Sequence, residues 1–295
     1  QTLLAADTAR AQELLPSVCA GELRLVLAHH EPQARGVLAR VATRAEKVED
    51  GWLLEGRKTL VLGGNVADLF IVSARTAGDN DDPDGISLFL LDRDTPGLKR
   101  QDIRLVDNRW CCELHLDQVH APRASRVGTV GQGHAALEHG HSYGLIALCA
   151  EAVGVMEQAL WLTRDYLRTR KQFGVTLNTF QSLQHRMAEM LIELELARSV
   201  VFRAMACLDL SLEERRAALS VAKVRVGQAG RFVCGQAIQL HGGIGVTEEY
   251  SVGHYFKRMT AIENELGSAS YHLQQLAQRE RLPADISSGA SCCAR

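Results

Sequence analysis

Near residue 130 the spacing of apolar side chains changes from two to an alternation of three and four, and this switch constrains the fold more than any single motif. Before it, residues 23 to 122 read as strands and turns. "DLFIVSART" (68–76) and "GISLFLLD" (85–92) are apolar enough for strands buried on both faces. The acidic, turn-rich "AGDNDDPDG" between them is expected to be an exposed loop. "CELHLDQVHAP" (112–122) alternates, so Leu114, Leu116 and Val119 share a packed face and Pro122 marks the exit. "GWLLEGRKTLVLGG" (51–64) holds two short apolar stretches separated by Glu55, Gly56, Arg57 and Lys58, a hairpin-like pattern. Strands at this spacing suggest a sandwich or barrel.

After the switch the chain is helical. In "QSLQHRMAEMLIELELARSVVFRAM" (181–205), Leu183, Met187, Met190, Leu194, Ala197 and Val201 recur in alternating steps of four and three. The run from 147 to 170 has no proline and ends in basic residues, as a helix C-terminus favours. A third helix carries Leu219, Ala222, Val226, Ala229, Val233 and Leu240 before glycines stop it, and a fourth is expected over roughly 251–280. Long helices with apolar stripes form an antiparallel bundle. The fold class is α+β: a remnant helix (1–22), a middle β domain (23–130), a helical bundle (131–283) and a frayed tail (284–295).

Charge and composition remove several functions. Lys plus Arg total 33 against 35 Asp plus Glu, a net charge of −2, which gives no reason to expect nucleic acid or an acidic membrane as partner. No apolar run is expected to approach bilayer length, and no membrane insertion is expected. The eight cysteines include the adjacent pairs Cys111–Cys112 and Cys292–Cys293 but no C-x-x-C, so free thiols in a reducing, cytoplasmic setting are expected. Cys111, Cys112 and His115 lie along a strand, and no metal site is expected.

Two helix junctions carry residues suited to a phosphate ligand. "RTRKQFGVTLNTFQ" (168–181) sets Arg168, Arg170 and Lys171 before Phe173-Gly174. A guanidinium pairs with phosphate oxygens and an aromatic covers a ring; a basic helix end followed by a glycine stop is the plainer account. "QLHGGIGVTEE" (239–249) offers Gly242, Gly243 and Gly245 for close backbone approach, or simply a glycine-rich turn between helices. It does not match the phosphate loop of nucleotide triphosphatases, and it follows a helix where a dinucleotide fingerprint follows a strand.

Taken in order, β domain, "TRKQFG", two helices, "QLHGGIGVTEE" and a last helix, the chain resembles the acyl-CoA dehydrogenase family of flavoproteins. Residues 43–76, "LDRDTPGL" (91–98) and "VHAPRASRVG" (119–128) look like its β-domain landmarks, while its N-terminal helical domain is largely missing. The resemblance implies FAD, an acyl-CoA substrate, an electron-transfer acceptor and a homo- or hetero-oligomer, usually a dimer of dimers. It also implies α-proton removal by a carboxylate while the β-hydrogen leaves as hydride to the flavin. By the same resemblance, Arg170, Gln172 and Phe173, with Leu177 and Gln181 nearby, would touch the FAD of a neighbouring subunit. Gln239, Gly242 and Gly243 would line that cofactor, and Ser268 matches a cofactor-contacting hydroxyl.

The departures from the family pattern direct the functional expectation. Leu60 and Leu62 stand where the family often has an aromatic and a hydroxyl beside the flavin, and "HHEPQARG" (29–36) keeps only Glu31-Pro32 of a glycine- and hydroxyl-rich stretch. The common base immediately precedes the glycine matched by Gly267; here that residue is Leu266. A second family location, ten residues before Gly154, is Gly144. The expectation is therefore a smaller, catalytically incomplete subunit of a heteromeric acyl-CoA dehydrogenase whose partner carries the base. The alternatives are a self-sufficient enzyme using Glu265, which would need a local change of helix register, and a flavin-free structural subunit.

Overall fold

The computed structural model describes residues 1–279 apart from 7, 8 and 35. The expected tail and the Cys292–Cys293 pair lie outside the described residues. The chain divides into two compact units, 1–147 and 148–295.

The first unit begins with α1 (Thr2–Ala5) and α2 (Ala9–Cys19). Its strands are β1 (Leu25–Ala28), β2 (Arg44–Val48), β3 (Gly51–Leu62), β4 (Leu69–Arg75), β5 (Ile86–Asp92), β6 (Leu98–Arg104), β7 (Trp110–Pro122) and β8 (Arg126–Val127). They form one eight-stranded sheet in the order β6-β7-β3-β2-β4-β5-β8, with β1 parallel to β4. The sheet lies between two cores, as the unbroken apolar runs of β4 and β5 require. Phe70, Val72, Phe89 and Leu91 pack with Trp52, Leu54 and Leu114 on one face. Ile71, Ile86, Leu88 and Leu90 pack on the other with Leu3, Ala136 and Leu137. The period of two thus sorts successive residues of each strand into different cores.

Residues 51–62 are one continuous strand, not the expected hairpin. β3 pairs with β7 along its length, with register shifts at Leu54/Gly56 and Lys58/Val61. The turn-like residues are accommodated inside the sheet. Gly56 has φ +153°, and a Cβ there would lie 2.6–2.8 Å from Thr43. Lys58 is fully buried against Glu31. In β7, Gln118 at φ +51° shifts the alternation, which is why Leu114, Leu116 and Val119 are all buried. The acidic loop is anchored by Arg75, whose buried guanidinium donates to the carbonyls of Ala39, Val41, Asn80, Asp82 and Asp84.

The helix α3 (Gly133–Thr169) runs through the division between the units. By length and composition alone it is apolar enough to cross a membrane, contrary to the expectation that no apolar run approaches bilayer length. Half of its most apolar window is buried within the protein, as in a core helix. Beyond it lie β9 (Lys171–Gln172) and β10 (Val175–Thr176), then α4 (Gln181–Ala206), α5 (Leu212–His241), α6 (Ser251–Asn264) and α7 (Ala269–Arg279). Ser211 and Glu214 close a capping box at the start of α5. Met190, Leu194, Ala197 and Val201 of α4 are buried, and α5 packs against α4, α6 and α7. The single helix expected over 251–280 is two helices, because the chain leaves helical geometry at Glu265 and re-enters at Ala269.

Candidate functional site

The basic junction folds into a two-residue hairpin. β9 and β10 pair Gln172 with Val175, and the two residues between them, Phe173 and Gly174, have φ +55° and +83°. Positive φ at both central positions is the signature of a type I′ turn, which favours Asn-Gly. Phenylalanine there is strained, and it is 90% exposed, with an edge-on ring contact to Phe180 at 6.2 Å. Arg170 is exposed, and among the described residues no carboxylate pairs with it. Its backbone is fixed: its N–H donates to Tyr166 O and its carbonyl accepts from Leu177 N, both at 2.9 Å. Gln172 and Gln181 are also exposed, and Leu177 is half-buried.

The glycine turn lies beside this hairpin. Gly242, at φ +66°, ends α5 by donating to Gln239 O and Ile238 O. A Cβ at Gly242 or Gly243 would meet open space, so neither glycine is required by packing within the chain. Gln239, Gly242 and Gly243 are all exposed. The two junctions are tied together by stacking of Tyr166, one turn before Arg170, on His241, next to Gly242, with ring centroids 4.5 Å apart. Tyr250 packs on the same imidazole at 4.9 Å. Burial holds His241 below the usual imidazole pKa; its Nδ1 bonds Ala237 O at 2.7 Å, and its buried Nε2 has no hydrogen-bond partner among the described residues. Seven of the residues taken from the resemblance are therefore exposed at two junctions that this stacking ties together, and the eighth, Leu177, is half-buried.

Ser268 does not join them. Its hydroxyl accepts from Tyr271 N at 3.2 Å as the N-cap of α7. The turn that holds it is bonded to Lys223 and Ser220 of α5, through Glu265 O and His272. From Lys223 to His241 along α5 is about 27 Å at the helical rise. One chain therefore presents two separated groups of candidate residues.

At the expected base, α6 ends with Glu265 as its C-cap, and the turn continues through Leu266 (φ +56°) and Gly267 (φ +97°). Glu263 pairs with Arg231. Glu265 lies 3.3 Å from Arg258, which also forks onto Glu151 at 2.5 and 2.7 Å. The geometry gives Glu265 an ion-pairing role.

In the first unit, Leu60 lies in the second bulge of β3 with φ +50° and is 53% exposed. Close by in sequence is a buried network that the sequence alone did not reveal. Lys58 Nζ donates to Glu31 Oε1 at 2.7 Å and Ser73 Oγ at 3.0 Å. Glu31 also accepts from Thr43 Oγ1 at 2.6 Å and from the N–H groups of Ala42 and Thr43. Burial brings the Lys58 amine down to about 8 despite its carboxylate partner. Burial works against the Glu31 carboxylate too, but Lys58 and these donors outweigh it and hold its pKa low. Ser73 contacts His29 Nδ1 at 2.9 Å. His29 is held well below the usual imidazole value, first by burial and then by Lys58 and the neighbouring His30, His141 and His134. The retained Glu31-Pro32 was the only sequence signal for any of this. Cys111 and Cys112 are buried, and burial pushes the Cys112 thiol up to about 12. No metal-holding group occurs among the described residues.

Comparison with known proteins agrees with this layout. The family model for "Acyl-CoA dehydrogenase, middle domain" matches residues 27–119, and that for "Acyl-CoA dehydrogenase, C-terminal domain" matches 131–280. Mitochondrial isobutyryl-CoA dehydrogenase of Bos taurus is 31% identical over 247 residues, covering 83% of this chain and 59% of the relative. The chain thus spans less than two thirds of that relative's length. The solved Tcur3481-Tcur3483 steroid ACAD is 35% identical with a TM-score of 0.81, covering 94% of this chain and 73% of that one. The structure of PigA with FAD and proline is 26% identical with a TM-score of 0.84, covering 92% and 72%. The chain belongs to the acyl-CoA dehydrogenase family.

Proposed function

We propose that this chain is a subunit of an FAD-dependent acyl-CoA dehydrogenase that desaturates an acyl-CoA thioester, and that its partner subunit supplies the base. The observation that carries the reading is the exposed region of Arg170, Phe173, Gln239, Gly242 and Gly243, left open beside glycines that packing does not require. Glycine backbone open to close approach and a guanidinium suit a diphosphate, and a strained exposed aromatic suits a flat ring. These residues fit the cofactor, and Arg170, Gln172, Phe173, Gln181, Gln239, Gly242 and Gly243 would hold it. FAD, when bound, supplies the hydride acceptor for the β-hydrogen.

The roughly 27 Å between this region and the Leu266–Ser268 turn supports an oligomer. Each chain contributes to two flavin sites, and a neighbour completes each one, in a hetero-oligomer arranged as a dimer of dimers. Leu266 brings no proton-accepting group to its site, so α-proton removal falls to the partner's carboxylate. A separate electron-transfer protein takes the electrons. The similar Tcur3481-Tcur3483 steroid enzyme, whose name pairs two components, supports the heteromeric reading. The free thiols among the described residues suit a reducing, cytoplasmic location for acyl-CoA catabolism.

The test is purification of the chain alone and together with the product of its neighbouring gene, followed by an acyl-CoA screen with an artificial electron acceptor. Flavin and activity only in the co-purified complex are expected. A yellow protein that is active alone would place the base in this chain, and loss of that activity in Glu265→Gln would identify it. No flavin in either preparation would favour a structural subunit.

A further inference from the structure

The turn between α6 and α7 is held more tightly than a helix break requires. Lys223 Nζ, on α5, donates to Ile262 O and to Glu265 O, the latter at 2.7 Å. His272 Nε2, on α7, donates to Leu266 O at 3.0 Å, and its Nδ1 accepts from Ser220 Oγ at 3.1 Å. The carbonyl needs a donor, so the neutral ring carries its proton on Nε2. Lys223 is 1% exposed and His272 3%. Ionisable groups are rarely buried this completely without a task, because burial removes their hydration.

The backbone between the two clamps is equally particular. Leu266 adopts a left-handed conformation that side-chain-bearing residues avoid, and Gly267 follows at φ +97°. Gly267 cannot be replaced, since a Cβ would lie 2.7 Å from the Tyr271 ring and 2.8 Å from His272 Nε2. A turn needed only to connect helices would place glycine first, at the left-handed C′ position. Here the glycine comes second, and the strained position bears a side chain. Strain of this kind persists where surrounding structure over-determines it.

We propose that Lys223 and His272 are positioning residues that hold position 266 for chemistry on the acyl thioester, and that this frame is intact around Leu266, with only the carboxylate missing. The inference rests on the dehydrogenase reading given above. It differs from that reading in assigning roles to two buried residues and in treating the turn that carries position 266 as complete but for one side chain.

The experiment uses the complex of this chain with its partner subunit. Leu266→Glu is expected to raise the number of flavins bleached by acyl-CoA under anaerobic conditions above that of the unmodified complex. Adding Lys223→Met should slow the new phase at least about 100-fold at unchanged flavin content, and Lys223→Arg should restore part of it. Independently of catalysis, amide hydrogen exchange at 265–268 should accelerate at least about tenfold in Lys223→Met. His272→Gln, which removes one clamp only, provides the same comparison should Lys223→Met fail to assemble. The proposal is overturned if Leu266→Glu binds flavin but gains no bleaching, if the double variant reacts as fast as Leu266→Glu, or if exchange at the turn is unchanged. Absence of flavin from every preparation would instead overturn the dehydrogenase reading, while exchange would still decide whether the clamp exists.

Discussion

Replacing Phe173 by asparagine should make the protein more stable and worse at keeping its flavin. Phe173 occupies the first left-handed position of a type I′ turn at φ +55°, where a side-chain-bearing residue costs about 1–2 kcal/mol and asparagine much less. At 90% exposure, its ring contributes little burial, and the edge-on contact with Phe180 is worth about 0.5–1 kcal/mol. The difference leaves a net stabilisation of about 0.5–1 kcal/mol, or roughly 1–3 °C in thermal midpoint. Loss of an aromatic cover over the cofactor should cost about 1–2 kcal/mol of binding, roughly 5–30-fold in retention. Stability must be measured on flavin-stripped protein, because bound ligand itself raises the midpoint. Retention is read from absorbance after dialysis. A lower midpoint would refute the strain argument, and unchanged flavin content would refute the role of the ring.

Two further outcomes follow from buried charges. Arg75→Met removes five hydrogen bonds, three to carbonyls of the acidic loop and two to those of Ala39 and Val41, and should destabilise the first unit by about 3–5 kcal/mol, measured by urea unfolding with a probe in the sheet. Lys223 has its amine lowered by burial to about 8 from 10.5, so the unfolded chain binds more protons between those values. Its unfavourable contribution is full below pH 8 and fades as pH rises toward 10.5, for a gain of up to about 3 kcal/mol. Unfolding measured from pH 8 to 10 should therefore show a more positive slope in the native chain than in Lys223→Met. Equal slopes would count against a buried charged amine.

The parts legible in the sequence were those governed by periodicity. β4 and β5 were readable as runs without polar interruption, and the stripe through Met190, Leu194 and Ala197 fixed one face of α4. β3 was misread because its interruption is made of residues that usually mark turns. Lys58 is drawn inside by Glu31, a partner 27 positions away that periodicity cannot detect. The break at 265–268 was hidden for a related reason. Its left-handed residue is a leucine, and the groups holding it come from α5 and from a histidine further on. The residues around Arg170 and Gly242 were singled out through motif order, whereas the link between the two junctions depends on Tyr166 and His241 stacking across a long separation.

The second irregularity of β3 has a consequence for how this family can change. Where register slips between Lys58 and Val61, the intervening residues stand outside the exchange of ladder bonds with β7. Leu60 is one of them, and its exposed side chain leaves both cores untouched. Substitution there alters the surface offered to a ligand while the sheet keeps its pairing. The position is thus a site of low mechanical consequence set within a rigid element. Its side chain bears on what the surface can meet and contributes to neither core.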